Sequence, residues 1–317
     1  MPSSVASRLF VARAFSSTRR RGARRAEPIV FSRPVLASFL LALGCAHLQP
    51  DQPEVSDTPG GRLAVADGWL AGTARGVAPG PPVVFVHGLG GNYHFFDAQL
   101  SALEARVREI AYDQRGCGES SLAPRKRYDL DTLVNDLAVI LDVAKAERAY
   151  LVGHSFGADV VSRYAGLHPD RVVALVLIDP PGDLRPELEA LTAELTAADD
   201  AAFSRRVDAL TEKLLVGARP ETRTTVLASV RATPRDVLQR MIAGMASFDA
   251  AGALSGYSGP ISCVLTDRTV ARDRAPSFCR KVVRLHEVSH WPMLDRPEDV
   301  TRAILDVLAS APNRSGH

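Results

Sequence analysis

The chain of 317 residues lacks several features that would assign it to a common class of protein. No group of Cys and His residues has the spacing of zinc ligands. No Gly-Lys-Ser/Thr sequence follows its glycine-rich loop, which argues against a nucleotide phosphate loop. Internal repeats and low-complexity segments are absent beyond residue 62, and aromatic residues make up only 6% of the chain. We therefore predict no metal, no cofactor and no nucleic-acid partner.

Cysteine is scarce as well, with four residues in the whole chain. Cys45 ends an N-terminal segment that resembles a signal sequence, described below. Cys117, Cys263 and Cys279 then remain, and an odd number argues against a full disulfide framework. Cys263 lies in one predicted strand and Cys279 just before the next. These two residues can therefore form a single bridge in an oxidising compartment.

What the chain does contain is 46% apolar and 23% charged residues, typical of one large globular domain with appendages. The charge is unevenly spread. Residues 1–34 contain eight arginines and one acidic residue, a net charge of +7, whereas the whole chain has +2, so the remainder carries −5. The apolar run that follows, residues 34–45, is too short to span a bilayer comfortably. We interpret the basic head as a targeting sequence or as upstream translation.

The apolar run ends at Cys45 and is followed by a polar, proline-rich stretch. This pattern resembles a bacterial lipoprotein signal, although Ala42 and Leu43 are in reversed order relative to the usual motif. The resemblance implies a signal peptide over residues 1–45, lipidation of Cys45, a linker over 46–61 and an exported protein anchored at a membrane. The alternative is an uncleaved leader on a cytoplasmic protein.

Beyond the linker, apolar runs that suit buried strands alternate with helical patterns, which predicts an α/β fold with a doubly wound, mostly parallel sheet. Residues 82–86 and 172–178 are examples of such runs. The alternation stops over residues 183–250, which have a helical pattern throughout. We predict that this segment is a cap at the carboxyl edge of the sheet, where ligands bind in open α/β folds. The core would then comprise residues 62–182 and 251–312.

The sequence Gly-His-Ser-Phe-Gly at residues 153–157 lies between a predicted strand and a predicted helix. A serine between two glycines at such a junction is typical of a nucleophile elbow, in which a tight, strained turn projects the hydroxyl at the end of the sheet. Ser155 is therefore the candidate nucleophile, and it requires an adjacent base.

Four motifs in this order resemble the α/β-hydrolase superfamily: His-Gly-Leu-Gly-Gly at 87–91, Asp-Gln-Arg-Gly-Cys-Gly-Glu-Ser at 113–120, the elbow at 153–157 and Ser-His-Trp-Pro at 289–292. The resemblance implies an α/β-hydrolase fold with a helical cap. It implies that Ser155 is the nucleophile and His290 the base, and that the backbone amides of Leu89 and Phe156 form the oxyanion hole.

The acid of the triad is where the chain departs from its relatives. Most of them have it after the strand that follows the cap, where Thr269 stands here. Our first choice is Asp179, because haloalkane dehalogenases and some relatives have their acid at the end of the preceding strand. Asp267 is the alternative, and Asp273 or no acid at all completes the options.

The function implied is that of a serine esterase that cleaves a small or medium carboxylic ester through an acyl-enzyme on Ser155. A serine nucleophile argues against haloalkane dehalogenase and epoxide hydrolase chemistry, since both use an aspartate. The alternatives are a hydrolase of amide or carbon–carbon bonds, including an aminopeptidase, and a non-catalytic hydrolase-like binding protein. The displaced acid keeps the last of these open. The expected partner is a small-molecule substrate.

Overall fold

The computed structural model describes residues 61–182, 185–271 and 276–310. The predicted signal peptide with Cys45, the linker up to residue 60, and Asp273 lie outside these ranges. Within them, no helix combines the length and the apolar character needed to cross a bilayer.

The strands form one eight-stranded sheet in the order β1-β2-β4-β3-β5-β6-β7-β8. β1 and β2 form an antiparallel hairpin, β2 pairs antiparallel with β4, and all other neighbours are parallel. This arrangement confirms the predicted mostly parallel sheet. The strands are β1 (Gly61–Val65), β2 (Gly68–Arg75), β3 (Val83–Val86), β4 (Glu109–Tyr112), β5 (Ala149–His154), β6 (Val172–Ile178), β7 (Ile261–Thr266) and β8 (Lys281–Leu285).

Burial along the strands explains why they are readable from the sequence. Every residue of β3, β4, β6 and β7 is buried, because helices cover both faces of a parallel sheet. β8 is an edge strand with exposed residues, including Lys281 and Arg284, and charge on an edge strand opposes pairing with another chain.

The helices pack on both faces of this sheet and over its carboxyl edge. A one-turn 3₁₀ segment (Tyr93–Phe96) leads into the first of them. The helices are α1 (Asp97–Leu103), α2 (Leu130–Val143), α3 (Phe156–Leu167), α4 (Arg185–Ala197), α5 (Asp200–Leu214), α6 (Pro220–Ala232), α7 (Arg235–Ala246), α8 (Ala250–Ala253), α9 (Asp267–Ala271), α10 (Pro292–Asp295) and α11 (Pro297–Ser310).

Helices α4 to α7 occupy the segment between β6 and β7 in which the sequence predicts helices. Their buried side chains join the two apolar clusters of the sheet: Val237 and Met241 belong to one, and Val230, Leu238 and Ile242 to the other. The described residues accordingly form one compact unit. The division into a core and a cap over residues 183–250 stays a prediction.

Candidate active site

Ser155 lies at the sharp junction of β5 and α3, with a φ of 49° that non-glycine residues rarely adopt. Its own N–H donates to the carbonyl of Ile178 over 3.0 Å. The turn needs glycine on both sides, because a Cβ on Gly153 or Gly157 would collide with neighbouring backbone. Phe156 is the first residue of α3, so its N–H has no acceptor within the helix and lies beside the serine.

His290 connects this serine to an aspartate. The imidazole Nε2 lies 2.8 Å from the Ser155 Oγ, and Nδ1 lies 2.5 Å from Oδ2 of Asp179. An ionised carboxylate only accepts hydrogen bonds, so Nδ1 carries the proton and Nε2 is free to accept from the hydroxyl. All three residues are buried, with 8% or less of each exposed. The geometry is that of a nucleophile, a base and an orienting acid.

The carboxylate of Asp179 is held by two threonines. It accepts from the backbone N–H of Thr266 over 3.0 Å, from the Thr266 hydroxyl over 3.1 Å, and from the hydroxyl of Thr269. Burial alone would raise the pKa of Asp179, but the hydrogen bond and charge of His290, with these donors, hold it below its usual value. Asp179 itself has a φ of 42°, so both ends of the array occupy strained backbone.

The alternative acid, Asp267, is not in contact with His290. It lies at the start of α9, where its carboxylate is 2.6 Å from Nδ1 of His286 and accepts from the Glu287 N–H over 3.0 Å. His286 and Asp267 are both largely exposed. His94 is likewise exposed and is paired with Asp97.

Backbone contacts fix the loop that carries His290. The His290 N–H donates to the carbonyl of Leu214 at the end of α5 over 3.0 Å. The His290 carbonyl accepts from Nε2 of His154 over 2.7 Å, which requires the Nε2-protonated form of that ring. Burial, together with the charge of His290, lowers the pKa of His154 to about 3, so it stays neutral.

Asp295 joins the same loop to the connection between α5 and α6. One of its oxygens accepts from the N–H of Arg219 over 3.0 Å. The other accepts from the N–H and hydroxyl of Ser289, over 2.9 and 2.6 Å. Two contacts, from Leu214 and from Asp295, therefore fasten α5 and its following turn to the histidine loop.

Leu89 lies in a turn directly beside the elbow. The turn is closed by the Gly91 N–H donating to the Gly88 carbonyl over 3.1 Å, and Gly90 has a φ of 63°, which glycine adopts without strain. Gly88 abuts the nucleophile, since a Cβ there would lie 3.0 Å from the Ser155 Cβ. The turn that carries Leu89 therefore lies against the elbow, and an oxyanion hole formed by the backbone amides of Leu89 and Phe156 stays a prediction.

The side chain of His87 connects that turn to the loop after β4 by hydrogen bonds. Its Nε2 accepts from the backbone N–H of Gln114 over 2.9 Å, so Nδ1 carries the proton and donates to the Gly88 carbonyl over 2.8 Å. Burial lowers the pKa of His87 to about 4 and keeps the ring neutral. The side chain amide of Gln114 also donates to the His87 carbonyl over 2.7 Å.

Residues of the motif at 113–120 make buried contacts with neighbouring segments. Asp113 accepts from the backbone N–H groups of Tyr93 and Glu119, over 2.7 and 2.8 Å. Arg115 forms a buried ion pair with Asp136. These contacts fasten the loop after β4 to its neighbours.

The array opens into a cavity of about 470 Å³ between the sheet and helices α4 to α7. A volume of this order holds a small organic ligand. The walls are mainly apolar, with side chains that include Leu191, Leu210, Leu214, Val230, Leu238 and Ile242.

Sequence reasoning placed Ser155, His290, Asp179, Leu89 and Phe156 at one location, and the structure brings them together. Their catalytic roles stay predictions. Sequence reasoning missed the hydroxyl donors to Asp179, although a hydroxyl at position 269, where relatives have a carboxylate, was a signal of that contact. It also considered a bridge between Cys263 and Cys279, which the structure forms with Cα atoms 5.6 Å apart.

Comparison with known proteins agrees with this fold. A family model for the alpha/beta hydrolase fold matches residues 81–229. Epoxide hydrolase B of Mycobacterium tuberculosis is 42% identical over 104 residues, which are 32% of this chain and 29% of that protein. The dihydrolipoyllysine-residue acetyltransferase component of the acetoin cleaving system of Pseudomonas putida is 38% identical over 146 residues, 46% of this chain and 37% of that protein.

Among solved structures, a hydrolase from Pseudomonas aeruginosa PA01 superposes with a TM-score of 0.66 and 26% identity, over 80% of this chain and 100% of the other. The chain spans less than half the length of the curated relatives it matches. The region that the family model matches contains the glycine-rich turn at residues 88–91 and the elbow at residues 153–157. Together with the sheet order and the motif order, these similarities show that the chain has the α/β-hydrolase fold.

Proposed function

We propose that the protein is a serine hydrolase that cleaves small or medium carboxylic esters through an acyl-enzyme on Ser155. The observation that carries the proposal is the continuous array from the Ser155 hydroxyl through His290 to Asp179, with separations of 2.8 and 2.5 Å. A free serine hydroxyl is a poor nucleophile, and this array supplies the base that it needs.

In the first step, the Ser155 Oγ attacks the ester carbonyl carbon while its proton passes to Nε2 of His290. The carbonyl oxygen becomes an oxyanion, stabilised by the N–H groups of Leu89 and Phe156. Asp179 stays ionised and stabilises the imidazolium. The carbon–oxygen bond to the alcohol then breaks, and the alcohol leaves with the proton from Nε2. Water repeats the sequence on the acyl-enzyme and releases the acid.

The cavity supports an ester with apolar parts as the substrate. Aliphatic side chains of α4 to α7 form most of its walls, and burying an alkyl chain against them contributes about 0.8 kcal/mol per methylene.

Two rival functions have less support. The similarity to an epoxide hydrolase covers 104 residues, but residue 155 is a serine and not the aspartate that such chemistry uses. A non-catalytic binding protein was suggested by the displaced acid, and the contact of Asp179 with His290 weighs against it. Amide and carbon–carbon bond hydrolysis would use the same array.

Labelling with a fluorophosphonate probe tests the proposal. We expect the wild-type protein to gain one adduct at Ser155 and to hydrolyse 4-nitrophenyl butyrate. Ser155→Ala should lose the adduct and at least about a thousandfold of activity. Ser162→Ala is the matched control, because Ser162 is buried on the same helix and away from the turn. Failure of the folded wild-type protein to label would overturn the proposal.

We also propose that the protein is exported and anchored through Cys45. The bridge between Cys263 and Cys279 supports export, because disulfides persist in oxidising compartments. Mass spectrometry of the mature N-terminus tests this, with a lipidated Cys45 expected and an intact leader as the contradicting result.

A further inference from the structure

Charged side chains are unevenly distributed around the cavity. Beside Ser155 and the turn at residues 88–91 the lining is apolar. Gly90 packs against Val230 and Leu238, and a Cβ on it would lie 3.2 to 3.3 Å from them. Three cationic side chains, those of Arg206, Lys213 and Arg268, also reach the lining.

Two of these cations adjoin the groups that hold the base and the acid. Lys213 directly precedes Leu214, whose carbonyl accepts from the His290 N–H. Arg268 directly precedes Thr269, whose hydroxyl donates to Asp179. The Arg268 guanidinium also donates to the backbone carbonyl of Lys213 over 3.4 Å.

The remaining charges of the lining differ in their surroundings. Arg206 donates to Glu194 over 2.7 Å, so its charge is balanced. Apart from Asp179, the carboxylate of the lining is that of Glu187. Lys213 is exposed at the mouth, and its ammonium forms none of the ion pairs found within the described residues.

The reaction places the leaving group beside His290, whose backbone N–H donates to the residue that follows Lys213. The leaving oxygen takes its proton from Nε2 of His290, so it must come within hydrogen-bond reach of that atom. The rest of the leaving alcohol then extends past His290 to the mouth that Lys213 and Arg268 flank. The acyl group has the apolar remainder of the cavity available.

We infer that this site prefers esters whose acyl group is apolar and whose leaving group carries a negative charge, which Lys213 and Arg268 attract. The inference rests on the proposed serine esterase function and adds the class of its substrate. Lys213 and Arg268 contact the leaving group at a distance from the reacting atoms, so they act on specificity and not on the bond-breaking step.

Three butyrate esters with matched shape test the inference: 4-butyryloxybenzoate, 4-butyryloxybenzamide and 4-butyryloxyphenyl-trimethylammonium. Their leaving groups are negative, neutral and positive. Dividing each kcat/KM by the rate of hydroxide hydrolysis corrects for intrinsic reactivity. We expect the corrected values to fall from the anion to the cation, and the difference to shrink with added salt, because the charges at the mouth are screened.

Lys213→Glu should change the ratio of anionic to cationic ester by about tenfold, mainly through KM, since the contact is remote from the reacting atoms. Lys281→Glu is the control, because it makes the same change of net charge on the edge strand and should alter the ratio less than twofold. Lys213→Gln repeats the test with a smaller change if the glutamate variant does not fold.

An unchanged ratio in both Lys213 variants, with Ser155 still labelled by the fluorophosphonate, would overturn this inference alone. Absence of labelling and of hydrolysis for all three esters would overturn the proposed function as well.

Discussion

Two aspartate–histidine pairs lie at the ends of neighbouring strands, and their surroundings differ. At the end of β6, Asp179 and His290 are separated by 2.5 Å, with 1% and 10% of their side chains exposed. After β7, Asp267 and His286 are separated by 2.6 Å, with 51% and 71% exposed. The first pair also has a serine on the second imidazole nitrogen and threonines on the carboxylate, whereas the second pair faces water.

The comparison shows that the aspartate–histidine contact alone does not make a catalytic array. In water the pair contributes little, because solvent screens the charges and competes for the hydrogen bonds. In the buried setting the same contact fixes the tautomer and direction of the imidazole. Four substitutions or changes of conditions test this difference.

The largest expected effect is on activity. Asp179→Asn should lower kcat by about 10³- to 10⁴-fold, because the amide does not stabilise the imidazolium and favours the wrong tautomer. Asp267→Asn, the matched change in the exposed pair, should alter kcat less than twofold. Ester hydrolysis by the two purified variants checks this. A collapse in Asp267→Asn with an active Asp179→Asn would reverse the assignment.

The disulfide joins Cys263 in β7 to Cys279, just before β8, and so closes the loop that carries Asp267. Cys263→Ser/Cys279→Ser should lower the free energy of unfolding by about 3 kcal/mol, as for closure of a loop of this length. Urea unfolding measures it. A reductant should weaken the wild-type protein by a similar amount and leave the double variant unchanged, because Cys117 is unbridged.

Low pH should destabilise the folded protein through the buried ring of His154, which donates to the carbonyl of His290. The pKa of His154 falls from 6.5 to about 3 in the folded protein, so below pH 6.5 the unfolded chain binds a proton that the folded one does not. Stability is therefore lost as the pH falls, by about 2 kcal/mol at pH 5 from this residue. Urea unfolding should show that the free energy of unfolding falls less between pH 7 and pH 5 in His154→Gln than in the wild-type protein. His286→Gln, in the exposed pair, should lose as much unfolding free energy between pH 7 and pH 5 as the wild-type protein. An equal loss in the two variants would contradict the argument.

A smaller effect is expected from the donors to Asp179. Thr269→Val removes the hydroxyl and should lower kcat by about tenfold, since one hydrogen bond to a charged group is worth about 1.5 kcal/mol or more. Thr269→Ser keeps the donor and should retain most of the activity. The kcat of the two variants with KM little changed would identify a positioning role, and equal losses in both would indicate simple packing.

The sequence predicted the sheet and the elbow well because continuous apolar runs and glycine spacing are local signals. It favoured Asp179 but left Asp267 open, since both follow a strand and the choice depends on which carboxylate the loop of His290 meets. Strand β8 ends at Leu285, a boundary that no local signal marks. Glu287 has a φ of 57° there, and the chain turns away so that His290 enters the site. Contacts between distant segments decide such details.

The fastening of the histidine loop to the turn after α5 has a consequence for engineering. Because Leu214 and Arg219 hold the backbone around His290, a helical segment from another hydrolase cannot be exchanged here as an independent module. A chimera that alters substrate preference should retain the end of α5 and the glycine at 217, which packs against the backbone of Val288. Crossover points within α6 or α7 would leave these contacts intact.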